Sequence, residues 1–235
     1  MKEIFYSEEP FILFSWEHLI SFLVFSGAGI FFIVYSKGKS FTFQLKVLRG
    51  MAILLSFMII SWVFIEIALE RFYIESDLPF VFCNFVALFL PVYAFKREKY
   101  IFDIIYYVII VGAIQAIITP ALKFSFPHYE YWKFWTVHVG LIIFILYEII
   151  IFKRRPTIKG IFITFLFVQV YLLMIILVNV ILDSNYLFLN EKPPVRTFLD
   201  LLGEWPYYVI IMDIILIPYF FITFLPFYFL KSKNS

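Results

Sequence analysis

Apolar and polar positions alternate along this chain in long blocks. Seven apolar stretches cover residues 15–35, 47–69, 79–95, 101–119, 133–152, 159–182 and 206–230. Each is close to the roughly 20 residues that cross a hydrocarbon core about 30 Å thick. None shows the period-two pattern of a strand, and in lipid each backbone amide must be bonded within its own segment, so all seven are read as helices. The expected fold is all-α: a polytopic membrane protein, a seven-transmembrane-helix bundle forming one domain over residues 1–235.

The polar blocks between the stretches orient that bundle. The loops after the first, third and fifth stretches, with the C-terminal tail, hold Lys37, Lys39, Lys46, Lys96, Arg97, Lys99, Lys153, Arg154, Arg155, Lys159, Lys231 and Lys233 among little acid. The N-terminal segment (Glu3, Glu8, Glu9), the loop with Glu70, Glu75 and Asp77, and the loop from Asp183 to Glu204 are acid-rich. By the positive-inside rule the expected topology is N-out/C-in, in a multi-pass protein of the plasma membrane.

Composition narrows the partners. At 63% hydrophobic with a net charge of +2, the chain has no room for a soluble domain, and its basic excess is loop charge that implies no nucleic-acid partner. The first stretch lacks a basic n-region and a small-residue cleavage site, so it reads as a retained helix. Cys83 is the only cysteine, which excludes an internal disulfide. No internal repeat is visible, which lowers the case for a transporter built from related halves. The one long connection, residues 183–205, carries aromatics, Pro193-Pro194 and Gly203; it is expected to fold as an ordered cap on the outer surface.

Polar residues inside the stretches are costly without partners and so mark candidate sites. His18, Glu66, Cys83, Asn84, Gln115, Thr119 and His138 are the notable ones, with Asp213 about two turns into the last stretch. The helical rise places Cys83 about 6 Å, His138 about 8 Å and His18 about 5 Å below the outer ends of their stretches. Glu66 and Gln115 fall within about 8 Å of theirs. A depth shared by residues from five stretches points to one site in the outer leaflet. Each residue also has a packing role open to it, the thiol as a small apolar group and the imidazoles and amides as interhelical hydrogen-bond partners.

Several motifs act as a set. "EEPFILFSWEHL", "LPFVFCN", "GAIQAIITPALKFSFPHYEYWKFWTVHVGLI", "NYLFLNEKPP" and "LLGEWPYY" occur in order along nearly the whole chain. Together they resemble the YwaF-type bacterial integral membrane proteins, which in turn look like relatives of the eukaryotic transmembrane-protein-164 family. That resemblance implies a seven-span lipid acyltransferase using a cysteine and a histidine, which map onto Cys83 and His138. Asn84 follows the cysteine where the eukaryotic motif is expected to carry histidine.

The residues can support such chemistry. A thiolate with a nearby imidazole can take an acyl group from one phospholipid as a thioester and release it to the hydroxyl of another. Asn84, Gln115 and backbone amides at the start of the third stretch are candidate oxyanion donors. Glu66 or Asp213 could orient an imidazole, and His18 could serve as a second acid or base. In the cap, Asn185, Tyr186, Lys192, Arg196 and Trp205 are candidate contacts to the lipid head group, the two cations through charge-assisted hydrogen bonds to phosphate. Membrane lipids are the expected partners, with no cofactor and no metal. Two alternatives stay open: a metal-dependent lipid hydrolase using His18, His138 and Glu66 or Asp213, and a non-enzymatic protein that binds or transports a lipid or solute.

Overall fold

A computed structural model describes residues 2–6, 9–192 and 198–232. The described residues are helical throughout, apart from turns and one isolated bridge. A short α1 (Lys2–Tyr6) precedes α2 (Trp16–Ser36), α3 (Phe41–Ala68), α4 (Phe82–Lys96), α5 (Lys99–Ile118), α6 (Tyr129–Ile150), α7 (Ile158–Leu182) and α8 (Tyr207–Ser232). All but α1 and α4 are long and apolar enough to cross a membrane. At 15 residues, α4 reaches only about 22 Å at 1.5 Å per residue.

Local chemistry sets the boundaries. Ser15 and Ser40 cap α2 and α3 by accepting from the His18 and Phe43 amides, and Thr157 caps α7 at Gly160, as expected of hydroxyl N-caps. Arg97 ends α4 and Asp183 ends α7 in the left-handed conformation, which breaks the helical bonding. The start of α6 differs from the sequence-based expectation. Residues 129–132, read as a polar linker, are helical because the His128 imidazole accepts from the Glu130 amide and supplies the cap.

Helices α3, α4, α5 and α6 pack on one another, with α2 against α6, α7 against α5, and α8 against α5 and α7. The most apolar part of α5 is 50% buried and that of α6 56%, against 17% for α2 and 11% for α8. The central pair therefore forms the core, around Trp135, Tyr93, Tyr107, Phe144 and Leu141. The outer helices instead present exposed apolar side chains such as Leu23, Val24, Phe64, Leu166, Leu173 and Ile214. Such a surface is unfavourable in water and natural in lipid, where helices bond their own backbones. Close approach relies on small residues: a Cβ on Gly140 would lie 2.5 Å from Leu55 Cδ2, and one on Gly160 equally close to Asp103 Cγ. Small residues let membrane helices meet this tightly.

Candidate active site

At one end of the bundle the N-terminus of α4 packs on Gly112 of α5, beside the connection that joins α7 to α8. Cys83 is the second residue of α4 and is buried. Its Sγ packs against Gly112 of α5, where even a methyl group would come to 3.4 Å. The preceding residue Val81 provides no side-chain cap. The amides of the first α4 turn, at Phe82, Cys83 and Asn84, therefore lack a capping acceptor, as helix N-termini intrinsically do. As at any helix N-terminus, they carry a partial positive charge.

His138 stands on α6, a helix that packs on both α4 and α5. Its Nδ1 lies 2.9 Å from the Phe134 carbonyl oxygen, one turn back. A carbonyl only accepts, so Nδ1 carries the hydrogen, and in the neutral ring Nε2 is left with its lone pair. No hydrogen bond engages Nε2 among the described residues, and none joins it to Cys83. Because α6 begins at Tyr129, His138 sits nine residues in, about 13 Å along the axis rather than the 8 Å or so expected from a start at Lys133.

The other candidates separate into engaged and free groups. His18 is fully committed: Nε2 donates to the Ile117 carbonyl at 2.9 Å and Nδ1 accepts from the Phe14 amide at 3.2 Å. It clamps the N-terminal segment to α5. Glu17 does the same for the α5–α6 connection, accepting from Ser125 Oγ at 2.9 Å and the Phe126 amide at 2.8 Å. Glu66 accepts from Arg71 at 3.2 Å, which also donates to the Phe5 carbonyl. Asp213 accepts from Gln169 Nε2 at 2.6 Å. Asn84 is half-buried and Gln115 exposed, and neither side chain makes a hydrogen bond among the described residues. Among those residues no three His, Cys, Asp or Glu side chains gather where a metal could be held, so the metal-dependent alternative has no ligand set there.

The described parts of the cap, residues 183–192 and 198–205, are anchored. Tyr186 is buried, donates to the Ile74 carbonyl at 2.6 Å and accepts from the Leu78 amide at 3.0 Å. Asn179 of α7 holds it from below through the Tyr186 amide and carbonyl. Asn185 folds the turn by bonding Asn190 and Glu191 backbone groups. Trp205 donates to the Leu189 carbonyl at 2.9 Å, and Lys192 pairs with Glu204 at 3.5 Å. Arg196 lies outside the described residues, with Pro193 and Pro194.

Lys133 escapes the sequence reading, which uses it as a boundary. Its ammonium lies 4.0 Å over the Trp62 ring, a cation–π contact. It interacts electrostatically with Glu130, Glu66 and Asp77 in order of decreasing strength, and it also acts on His138. Beside it Tyr129 bonds Ser61 and stacks on Trp62. Burial, and then the Arg71 cation, hold the His128 imidazole at the α6 cap below the usual histidine range. A Lys-His pair five residues apart carries no motif signal; only a correct start for α6 would have drawn Glu130 and Lys133 into one group.

A helical bundle with six helices long and apolar enough to cross a membrane, and with exposed apolar side chains on its outer helices, defines the class: a polytopic membrane protein. The chain belongs to the TMEM164 family, whose model matches residues 13–224. No curated protein and no solved structure matches it.

Proposed function

We propose that this chain is a membrane-embedded acyltransferase that moves acyl chains between phospholipids, with Cys83 as nucleophile and His138 as general base. The observation that carries the reading is the bare Nε2 of His138, fixed by the Nδ1 bond to Phe134, on a helix packed against the one that carries the only thiol. An oriented imidazole beside a nucleophile is the working unit of covalent acyl transfer. The motif resemblance supports the same pair.

The steps balance as follows. Nε2 takes the Cys83 proton, and the thiolate attacks the ester carbonyl carbon of the donor lipid. The carbonyl oxygen becomes an oxyanion, held by the α4 amides and the Asn84 side chain. Collapse breaks the ester C–O bond, and the imidazolium returns its proton to the departing lyso-lipid oxygen. The acceptor lipid's hydroxyl then gives its proton to Nε2 and attacks the thioester, and the thiolate leaves and is reprotonated. Gln115 is exposed, so the amides at the start of α4, beside the buried thiol, are the better oxyanion donors. Lys192, Asn185, Tyr186 and Trp205 act by holding the cap in place, and Arg196 is the proposed phosphate contact.

The reading includes a seven-span, N-out/C-in, YwaF-type member in the plasma membrane, with α4 as the short span and the site in the outer leaflet. Purified protein given a labelled phospholipid donor and a lysophospholipid acceptor is expected to transfer the label and to yield a Cys83 thioester. Cys83→Ala is expected to lower the rate about 10⁴-fold or more. Full transfer by Cys83→Ala overturns the assignment; lipid binding without turnover in the native chain favours the non-enzymatic reading.

A further inference from the structure

A cavity of about 290 Å³ lies between α7 and α8 beneath the cap. Val168 and Leu172 of α7 and Met212 and Leu216 of α8 form its walls, Leu187–Leu189 its roof, and Phe82 one side. Phe82 precedes Cys83, so the cavity ends at the helix turn that carries the thiol. Its volume has room for about ten groups of methylene size, each near the roughly 30 Å³ of a water molecule in the liquid. The lining along α8, from Tyr208 to Leu216, covers about 12 Å of helix.

We propose that this cavity holds the hydrocarbon tail of one phospholipid acyl chain while its ester lies at the α4 N-terminus. The proposal rests on the acyltransferase reading for the position of the ester, and the tail site has its own grounds. Residues beside the lining, Val170 and Leu173 on α7 and Ile210 and Ile214 on α8, are exposed apolar surface, so the occupant comes from a surface that lipid covers. Among the described residues the lining is apolar except for Asp213, whose Oδ1 accepts from Gln169, and the Tyr208 hydroxyl, which is spent on the Phe188 carbonyl. Lys192 lies 5.8 Å from the Tyr208 ring centre but pairs with Glu204, so these lining side chains offer a head group no cation and no spare donor, whereas a tail needs neither. The Asp213–Gln169 pair satisfies itself partway along this wall, about one turn short of Leu216, so a chain can pass it without leaving a buried polar group unbonded.

Phe82 is the partition between tail and thiol. Its ring lies 4.7 Å from that of Tyr171, which Phe80 holds through its carbonyl at 2.7 Å. The tail wall is thereby tied to the segment that leads into α4, and the ester end of a seated chain is kept at the first turn.

The test uses the full chain in vesicles of phosphatidylcholine that carries a diazirine on one acyl chain. After illumination, mass spectrometry is expected to find the label on Leu172, Met212 or Leu216, above the level at exposed Leu173 and Leu177. Leu172→Trp fills the cavity and is expected to cut that labelling about tenfold, equivalent to one decade in affinity. Leu173→Trp, on the lipid face, is expected to leave it unchanged, and Met212→Phe serves as a second filling variant should Leu172→Trp not fold. Label confined to the exposed residues, or undiminished in both filling variants, overturns the proposal. A transfer assay on the native chain beside the labelling separates the two readings: cavity labelling without transfer sinks the enzyme and keeps the tail site, while transfer with no cavity labelling does the reverse.

Discussion

At the end of the bundle that holds the α4–α5 and α6–α7 turns, ionisable side chains are locked to partners in other elements. Asp103 accepts from the Thr157 amide and hydroxyl at 3.2 and 2.7 Å. Arg97 donates to Glu148 at 2.8 Å, and Arg154 donates to the Arg97 carbonyl. Asp103 and Glu148 are fully buried. At the other end, His138 Nε2, the Asn84 amide and the Lys133 ammonium have no hydrogen bond among the described residues, and a cavity lies beside Phe82 at the start of α4. Both ends hold polar groups within long apolar helices, which are costly by default. Spare bonding capacity separates a candidate site from a structural brace.

That contrast can be broken or sharpened. The largest effect is expected at the cap end: His138→Ala should lower acyl transfer by about 10²- to 10⁴-fold, the usual worth of a general base, with thermal stability nearly unchanged. A transfer assay beside a melting curve reads both. An equal loss of stability would make His138 a brace too.

At the opposite end the same kind of substitution should do the reverse. Arg97→Met leaves Glu148 buried without its cation, a defect that costs about 3–5 kcal/mol. Denaturant or thermal unfolding in detergent should show it, with activity per folded molecule retained. A smaller loss is expected from Gly160→Ala. Helix propensity favours alanine by about 1 kcal/mol, but the new Cβ would lie 2.5 Å from Asp103 Cγ. Asp103 cannot yield without releasing Thr157, so overpacking of about 1–3 kcal/mol prevails. A stabilised Gly160→Ala would show that this contact is loose.

The smallest effect concerns pH. The His128 imidazole titrates below its ordinary value of 6.5 in the folded chain, so folding disfavours its proton. Its contribution to stability is complete above pH 6.5 and is lost as the pH falls through that value towards the folded pKa. The slope cannot exceed about 1.4 kcal/mol per pH unit for one group. His128→Asn preserves an N-cap and should flatten that part of the stability–pH curve; an unchanged curve would place the titration elsewhere.

Sequence reading reached the bundle because hydrophobic length is a local property. A stretch of apolar residues must bond its own amides in lipid whatever surrounds it, so a helical polytopic membrane protein could be read from the chain alone. Cys83 and His138 stand out as candidates in the chain because polar residues inside apolar stretches are rare. Boundaries set by side-chain caps were less legible. The His128 cap moved the start of α6 and with it the depth of His138 and the status of Lys133.

What only the tertiary structure decided is which polar groups are free. His18 and His138 look alike in sequence, both a few residues into an apolar run. One has both nitrogens taken by backbone groups, Ile117 of α5 and Phe14 in the turn before its own helix; the other uses one nitrogen within its own helix and keeps the second bare. The cavity, too, joins α4, α7, α8 and the cap from residues more than a hundred positions apart. Hydrogen-bond saturation and enclosed volume depend on what packs alongside, and the order of residues along one helix carries neither.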